Sequence, residues 1–288
     1  MGGNGQDRVR HPRLTLIGPA LVAVAHGSRD PRAAATVSEL LAVVRARVPW
    51  LDVRAAFLDH CAPSLPQALG SLGAASAGSA ARPAVVVPLL LTAAYHSKTD
   101  IPARLAAAAA ARPGLNAVCA GTLGPHPLLI DALERRLAET GVAVRDPAAR
   151  AATGVVLAAA GSSDPAANAV IAALAARWQR ERGWRAVLPA YASAAGPRPA
   201  QAVAALRSAH DNTARYDTAG GGPVVVATYL LAPGYFADKV RDAALGAGAA
   251  AVSGVLGAAP EVADTVIERY RDGVRAARQG RAPSRTAS

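Results

Sequence analysis

Lysine is nearly missing from this chain: Lys98 and Lys239 are the only two in 288 residues. Aromatic residues reach 4%, so bulky rings cannot supply most of a core. The two cysteines, Cys61 and Cys119, have no CxxC spacing, which excludes a disulfide framework or a zinc knuckle and leaves reduced thiols. No apolar run approaches the ~18 uncharged residues of a membrane span. The N-terminal stretch is polar and has no hydrophobic segment of a secretory signal, so residues 1–19 are expected to form a disordered tail. Residues 277–288 are expected to form a second one. A Gly-x-x-x-x-Gly-Lys-[Ser/Thr] loop is absent, which excludes that type of ATP site. These absences leave a cytoplasmic protein that does not use ATP.

What is present is apolar residue, at 52%, against 18% charged, enough for a substantial core. The formal charge of +11 is almost all Arg. Skewed coding composition produces such a bias, and so does an anionic partner, because guanidinium grips carboxylate and phosphate in a bidentate fork. The Arg residues are scattered, with no basic run and no interleaved aromatics, so no nucleic acid is expected and a small polycarboxylate fits at least as well.

Short Val/Leu/Ala runs alternate with longer helical stretches, the pattern of βαβ units around a parallel sheet. Strands are expected at Leu21–Ala25, Val53–Leu58, Ala84–Leu90 and Ala117–Ala120, with helices at Pro31–Arg47, Ser64–Leu72, Ile101–Arg112 and Pro125–Glu139. The order then recurs, with strands at Gly154–Ala159, Arg185–Ala190, Pro223–Tyr229 and Ala250–Val255. The matching helices are Pro165–Arg182, Pro197–Ala209, Gly234–Leu245 and Pro260–Ala276. At an offset of about 134, Ala25-His26-Gly27-Ser28-Arg29-Asp30-Pro31 aligns with Ala159-Ala160-Gly161-Ser162-Ser163-Asp164-Pro165, and Trp50 with Trp184. Leu90-Leu91 and Tyr95 align further on with Leu230-Leu231 and Tyr235. The chain therefore reads as α/β, a duplication of one four-stranded parallel sheet flanked by helices. Its expected divisions are 20–140, a linker at 141–153, and a degenerate repeat at 154–276.

The repeat keeps its scaffold and loses three polar groups: His26 becomes Ala160, Asp59 becomes Ser193, and His96 becomes Phe236. Residues needed for folding belong in both copies, whereas residues present once are candidates for chemistry performed once. All three follow strands, at the carboxyl edge where open parallel sheets bind ligands. Two imidazoles and a carboxylate suit Fe²⁺, Co²⁺, Ni²⁺ or Zn²⁺. Singly, each has an ordinary reading as a capping or turn residue. His60 reads as peripheral and His126 as structural, beginning a helix. Ser28 next to His26 raises a hydrolase, but Ser162 persists where the histidines are gone, which favours a capping role. Gly27 and Gly161 read as backbone requirements of a tight turn.

Ala25-His26-Gly27-Ser28-Arg29-Asp30-Pro31, Phe57-Leu58-Asp59 and Pro88-Leu89-Leu90-Leu91-Thr92-Ala93-Ala94-Tyr95-His96 together resemble the sirohydrochlorin chelatases of the CbiX and SirB type, from about Leu21 to Arg275. The resemblance implies two flavodoxin-like domains fused in one chain, and a monomer. It also implies insertion of a divalent metal, Co²⁺ or Fe²⁺, into sirohydrochlorin for cobalamin or sirohaem, with the metal as substrate and no prosthetic group. By the same resemblance His26 and His96 are metal ligands. Asp59 stands where the family usually has Glu, so it acts as a ligand, through water, or as a proton acceptor. The substrate's carboxylates imply contacts with Arg29, Arg32 and Lys98, for which solvated helix-end roles stay open, and its ring implies contacts with Tyr95 and Phe236. A metal or tetrapyrrole carrier without turnover is the competing reading.

Overall fold

The computed structural model describes residues 18–73, 82–92, 99–112, 114–213 and 222–279. Strand β1 (Ala20–Ala25) is buried throughout. Its Leu21, Ala23 and Ala25 enter one core, and its Ala20, Val22 and Val24 enter another. A continuous apolar run does this when its sheet is covered on both faces. The chain continues through α1 (Pro31–Arg47), β2 (Val53–Phe57), α2 (Leu65–Gly70), a 3-10 turn at Ser71–Gly73, β3 (Ala84–Pro88), α3 (Ile101–Ala111) and β4 (Ala117–Cys119). Then follow α4 (Pro127–Ala138) and α5 (Pro147–Ala152). The second series is β5 (Gly154–Ala159), α6 (Pro165–Arg182), β6 (Ala186–Tyr191), α7 (Pro199–Thr213), β7 (Val224–Tyr229), α8 (Tyr235–Gly246), β8 (Ala251–Val252) and α9 (Pro260–Arg278).

The fold class is as expected: two four-stranded sheets ordered β2-β1-β3-β4 and β6-β5-β7-β8. All their pairings are parallel. In the first sheet the chain leaves β1 on one side for β2 and returns on the other as β3. That reversal opens a crevice at the carboxyl ends of β1 and β3. Helix starts follow local chemistry. Asp30 and Asp164 cap α1 and α6 by accepting from the backbone N–H of Arg32 and Ala166, each with Pro at the first helical position. Many element ends lie one to four residues from the sequence expectation, and three departures concern how an element starts, appears or shortens. Helix α4 starts at Pro127 because His126, rather than Gly124, is its cap, the Nδ1 atom accepting from Leu128 N at 3.3 Å. The expected linker holds the short helix α5, capped by Asp146. Strand β8 has two residues, where a longer run was expected.

The larger departure is in how the halves are covered. The C-terminal helix α9 packs on α1, β3 and β4 of the first half, while α4 of the first half packs on β7 of the second. The halves thus exchange their last helices. One continuous core runs from Leu21 and Val85 through Leu40, Leu133, Trp178 and Val266 to Leu157 and Val225. Helix α9 lies so near β3 that a Cβ on Gly273 would stand 2.5 Å from Val85 Cγ1. Each sheet keeps a private core on its outer face, under α2 and α3 in one half and under α7 and α8 in the other.

Polar bonds stitch the exchange. Tyr270 Oη donates to Pro19 O at 2.8 Å, and Trp178 Nε1 donates to Glu134 Oε1 at 2.9 Å. Arg135 pairs with Glu261 at 2.6 Å. Many guanidinium groups end on backbone carbonyls, including Arg45 on Val53 O and Arg136 on Leu256 O. Part of the Arg excess is therefore scaffold.

Candidate metal-handling site

Backbone geometry at the carboxyl edge of the first sheet brings two of the single-copy residues together. After β1 the chain turns through Gly27 at φ +90°, and Asp59 N donates to His26 O at 2.9 Å. A Cβ on Gly27 would stand 1.8 Å from Asp59 O, so the position requires glycine for both its angle and its clearance. The second half repeats the arrangement. Gly161 turns at φ +84°, its Cβ position lies 2.1 Å from Ser193 O, and Ser193 N donates to Ala160 O at 2.9 Å. Even the left-handed turn residue recurs, as His60 at φ 62° and Ala194 at φ 56°.

Gly27→Ala and Gly161→Ala are therefore each expected to lower stability by ~2 kcal/mol or more, although one half alone carries the candidate chemistry. Denaturant midpoints of the two variants check this. A Gly161→Ala protein as stable as the parent would contradict a shared backbone requirement.

On this common frame the first half places an imidazole and a carboxylate. His26 Nδ1 and Asp59 Oδ2 are 3.8 Å apart, with side chains 52% and 43% exposed. That separation is too long for a hydrogen bond. The other carboxylate oxygen, Oδ1, faces Arg104 NH2 at 3.6 Å. Arg104 is in turn held by Asp100 Oδ1 at 2.7 Å and donates to Leu58 O at 2.9 Å. Asp100 stands at the N-cap position of α3. Its side chain makes no cap bond and serves Arg104 instead. The available signal was the Asp-x-x-x-Arg spacing in the first turn of a helix.

Ser28 Oγ accepts from Asp30 N at 3.0 Å, and Ser162 Oγ accepts from Asp164 N at 3.0 Å, the capping-loop role expected of both. Cys61 Sγ donates to Ser28 O at 3.2 Å. His126 also matches its structural reading. Besides capping α4, its Nε2 lies 3.1 Å from Glu268, and burial, first among its causes, lowers its pKa below the usual imidazole value.

His96, Tyr95 and Lys98 lie outside the described residues. Among the described residues no group of three His, Cys, Asp or Glu side chains could hold a metal ion. The described part of the site is the His26–Asp59 pair. The chain leaving β3 toward His96 is tied to the second half at Leu91, whose carbonyl accepts from Tyr229 Oη at 3.2 Å. Tyr229 is buried, and that burial raises its pKa and keeps the phenol a donor.

Arg29 is exposed and makes no ion pair among the described residues. Arg32 is differently placed. Its guanidinium bridges Asp30 and Asp238, each at 2.7 Å, joining the start of α1 to the first turn of α8. Both carboxyl groups are held below their ordinary pKa, first by hydrogen bonding to Arg32. In the same turn of α8, Tyr235 and Phe236 meet edge to face with ring centroids 5.5 Å apart, and they are 72% and 40% exposed. The two rings form a small exposed apolar patch beside the Arg32–Asp238 ion pair, with Lys239 Nζ 5.8 Å from the Tyr235 ring centroid.

The sequence profile of the CbiX family matches residues 20–140 and again 154–273. A sirohydrochlorin cobaltochelatase of Priestia megaterium is 32% identical over 148 residues, which are 50% of this chain and 45% of that protein. A sirohydrochlorin ferrochelatase of Bacillus subtilis (strain 168) is 28% identical over 178 residues, covering 62% of this chain and 64% of that one. The chain thus spans about half to two thirds of the length of these relatives. SirB from Bacillus subtilis with Fe³⁺ has the same fold, with a TM-score of 0.76 at 22% identity over 93% of this chain and 99% of that one. No described helix is long and apolar enough to cross a membrane. With both halves matched and the same fold recovered, the chain belongs to the CbiX family.

Proposed function

We propose that this protein is an ATP-independent chelatase that inserts a divalent metal, Co²⁺ or Fe²⁺, into sirohydrochlorin. The observation that carries the reading is the asymmetry of the two sheet edges. The backbone of the turn is the same in both halves, while the imidazole and carboxylate occur in the first alone. Family membership supplies the reaction class, and the relatives named above are cobalt and iron chelatases of sirohydrochlorin.

Insertion must deliver M²⁺ to the macrocycle and remove two pyrrole N–H protons. His26, with His96, would hold the metal through an incomplete shell, weak enough to release it. Asp59 and an imidazole would take the protons. Arg29 and Lys98 would receive peripheral carboxylates. Arg32 would do so only by leaving Asp30 or Asp238. Tyr235 and Phe236, with Tyr95, would face the ring. One chain supplies both the start of α1 and the first turn of α8, which Arg32 joins, so the protein is expected to act as a monomer in the cytoplasm, with the first sheet as the working half and the second as its degenerate partner.

The test is sirohydrochlorin absorbance with Co²⁺, Fe²⁺ and Ni²⁺ in turn. Metallation well beyond one equivalent of protein is expected with at least one metal. Metallation that stops at one equivalent would instead mark a carrier. Phe236→Ala is expected to raise the KM for sirohydrochlorin about tenfold, the loss of roughly 1.4 kcal/mol of ring contact. An unchanged KM would remove the second half from the substrate site.

A further inference from the structure

Asp59 is one methylene shorter than Glu, and its backbone is locked by the bond to His26 O, so its carboxylate has little freedom to find a partner. Yet its two oxygens are divided, Oδ2 toward His26 and Oδ1 toward Arg104. Arg104 is itself fixed at three points, by Asp100, by Leu58 O one residue before Asp59, and by Asp59. Such a guanidinium is a rigid peg rather than a mobile surface charge.

The second half shows what the fold needs without it. Buried Ile101 of α3 corresponds to buried Val240 of α8. That register places Lys239 and Ala243 where Asp100 and Arg104 stand, and the His96–Phe236 register places Val240 and Ala244 there. Neither holds an Asp–Arg pair, and Ser193 replaces Asp59. Ser193 Oγ donates to Ala160 O at 2.9 Å and needs no cation. The Asp100–Arg104–Asp59 chain therefore occurs only in the half with the imidazole, and the sheet edge folds in the other half without it.

We propose that Arg104 is a positioning residue, which holds one oxygen of Asp59 so that the other is presented to His26 and the ion beside it. The inference rests on the chelatase reading for its activity test, and on the chain's own geometry otherwise. Arg104→Ala is expected to lower kcat for metal insertion tenfold or more with the KM for sirohydrochlorin unchanged. Arg104→Lys should recover part of the loss, and Asp100→Asn, which loosens the peg without removing it, should show a smaller one. In an Asp59→Asn background, Arg104→Ala should cause no further loss. The visible spectrum of Co²⁺ added to the protein alone should shift between wild type and Arg104→Ala.

A rise in KM without a fall in kcat would make Arg104 a substrate contact and overturn the proposal. So would an equal loss in the Asn background, or an unchanged Co²⁺ spectrum in a folded Arg104→Ala protein. Wild-type protein that inserts no metal overturns the chelatase reading instead, and the Co²⁺ spectra still decide the role of Arg104.

Discussion

His26→Ala protein is expected to lose multiple-turnover metal insertion, with rates down by about 10²–10⁴-fold, the range for removing a proton-transfer group. Part of the loss would come from weaker metal delivery, because Asp59 is then left without its imidazole neighbour 3.8 Å away. Stability should hardly change. The His26 side chain is 52% exposed and lies outside the cores, so its removal belongs with surface substitutions within about 0.5 kcal/mol. His96→Ala is expected to lose multiple-turnover insertion as well. Single-turnover and steady-state sirohydrochlorin absorbance, read beside thermal unfolding, separates lost chemistry from lost fold. Near-parental rates in the folded His26→Ala variant would sink the first-half site.

The second large effect concerns folding. A fragment ending at Thr153 contains the whole first sheet, yet it is expected to show no cooperative unfolding as a monomer. Helix α9, which covers β3 and β4, belongs to the other end of the chain. Its Val262, Val266, Ile267 and Tyr270 are all buried. At ~1.5–3 kcal/mol each, they contribute about 6–12 kcal/mol of burial. That is comparable to the entire net stability of a typical domain, about 5–15 kcal/mol. The fragment would also expose the face of α4 that packs on β7 in the full chain. Near-UV circular dichroism and sedimentation of the fragment check this. A monomer with a sharp transition would show that the exchanged helices are dispensable.

Much of this protein is written locally. Apolar runs with flanking Asp-Pro caps set α1 and α6 to the residue, because capping chemistry acts over two or three positions. The duplication located His26 and Asp59 without any coordinates, since a backbone turn must survive in both copies and an imidazole need not. The same comparison gave Ser28 and Gly27 their backbone roles. Arg104 escaped it. Its partner Asp59 is 45 residues away in the chain, and no local rule says which of 31 basic residues will reach a given carboxylate. For the same reason the sequence could not show that Arg32, a candidate contact for substrate carboxylates, folds against Asp238, 206 residues distant.

By itself, then, the sequence determined the two parallel sheets, their order of elements, the repeat and the pair of residues at one sheet edge. Periodicity, caps and residue identity are short-range properties that a chain cannot conceal. Only the tertiary structure decided that the halves share one core by exchanging α4 and α9, that α8 brings its exposed rings beside α1, and that Asp59 is pegged by Arg104. Which amphipathic helix covers which sheet depends on shape and burial summed over distant segments, and either sheet would accept the apolar face of either helix.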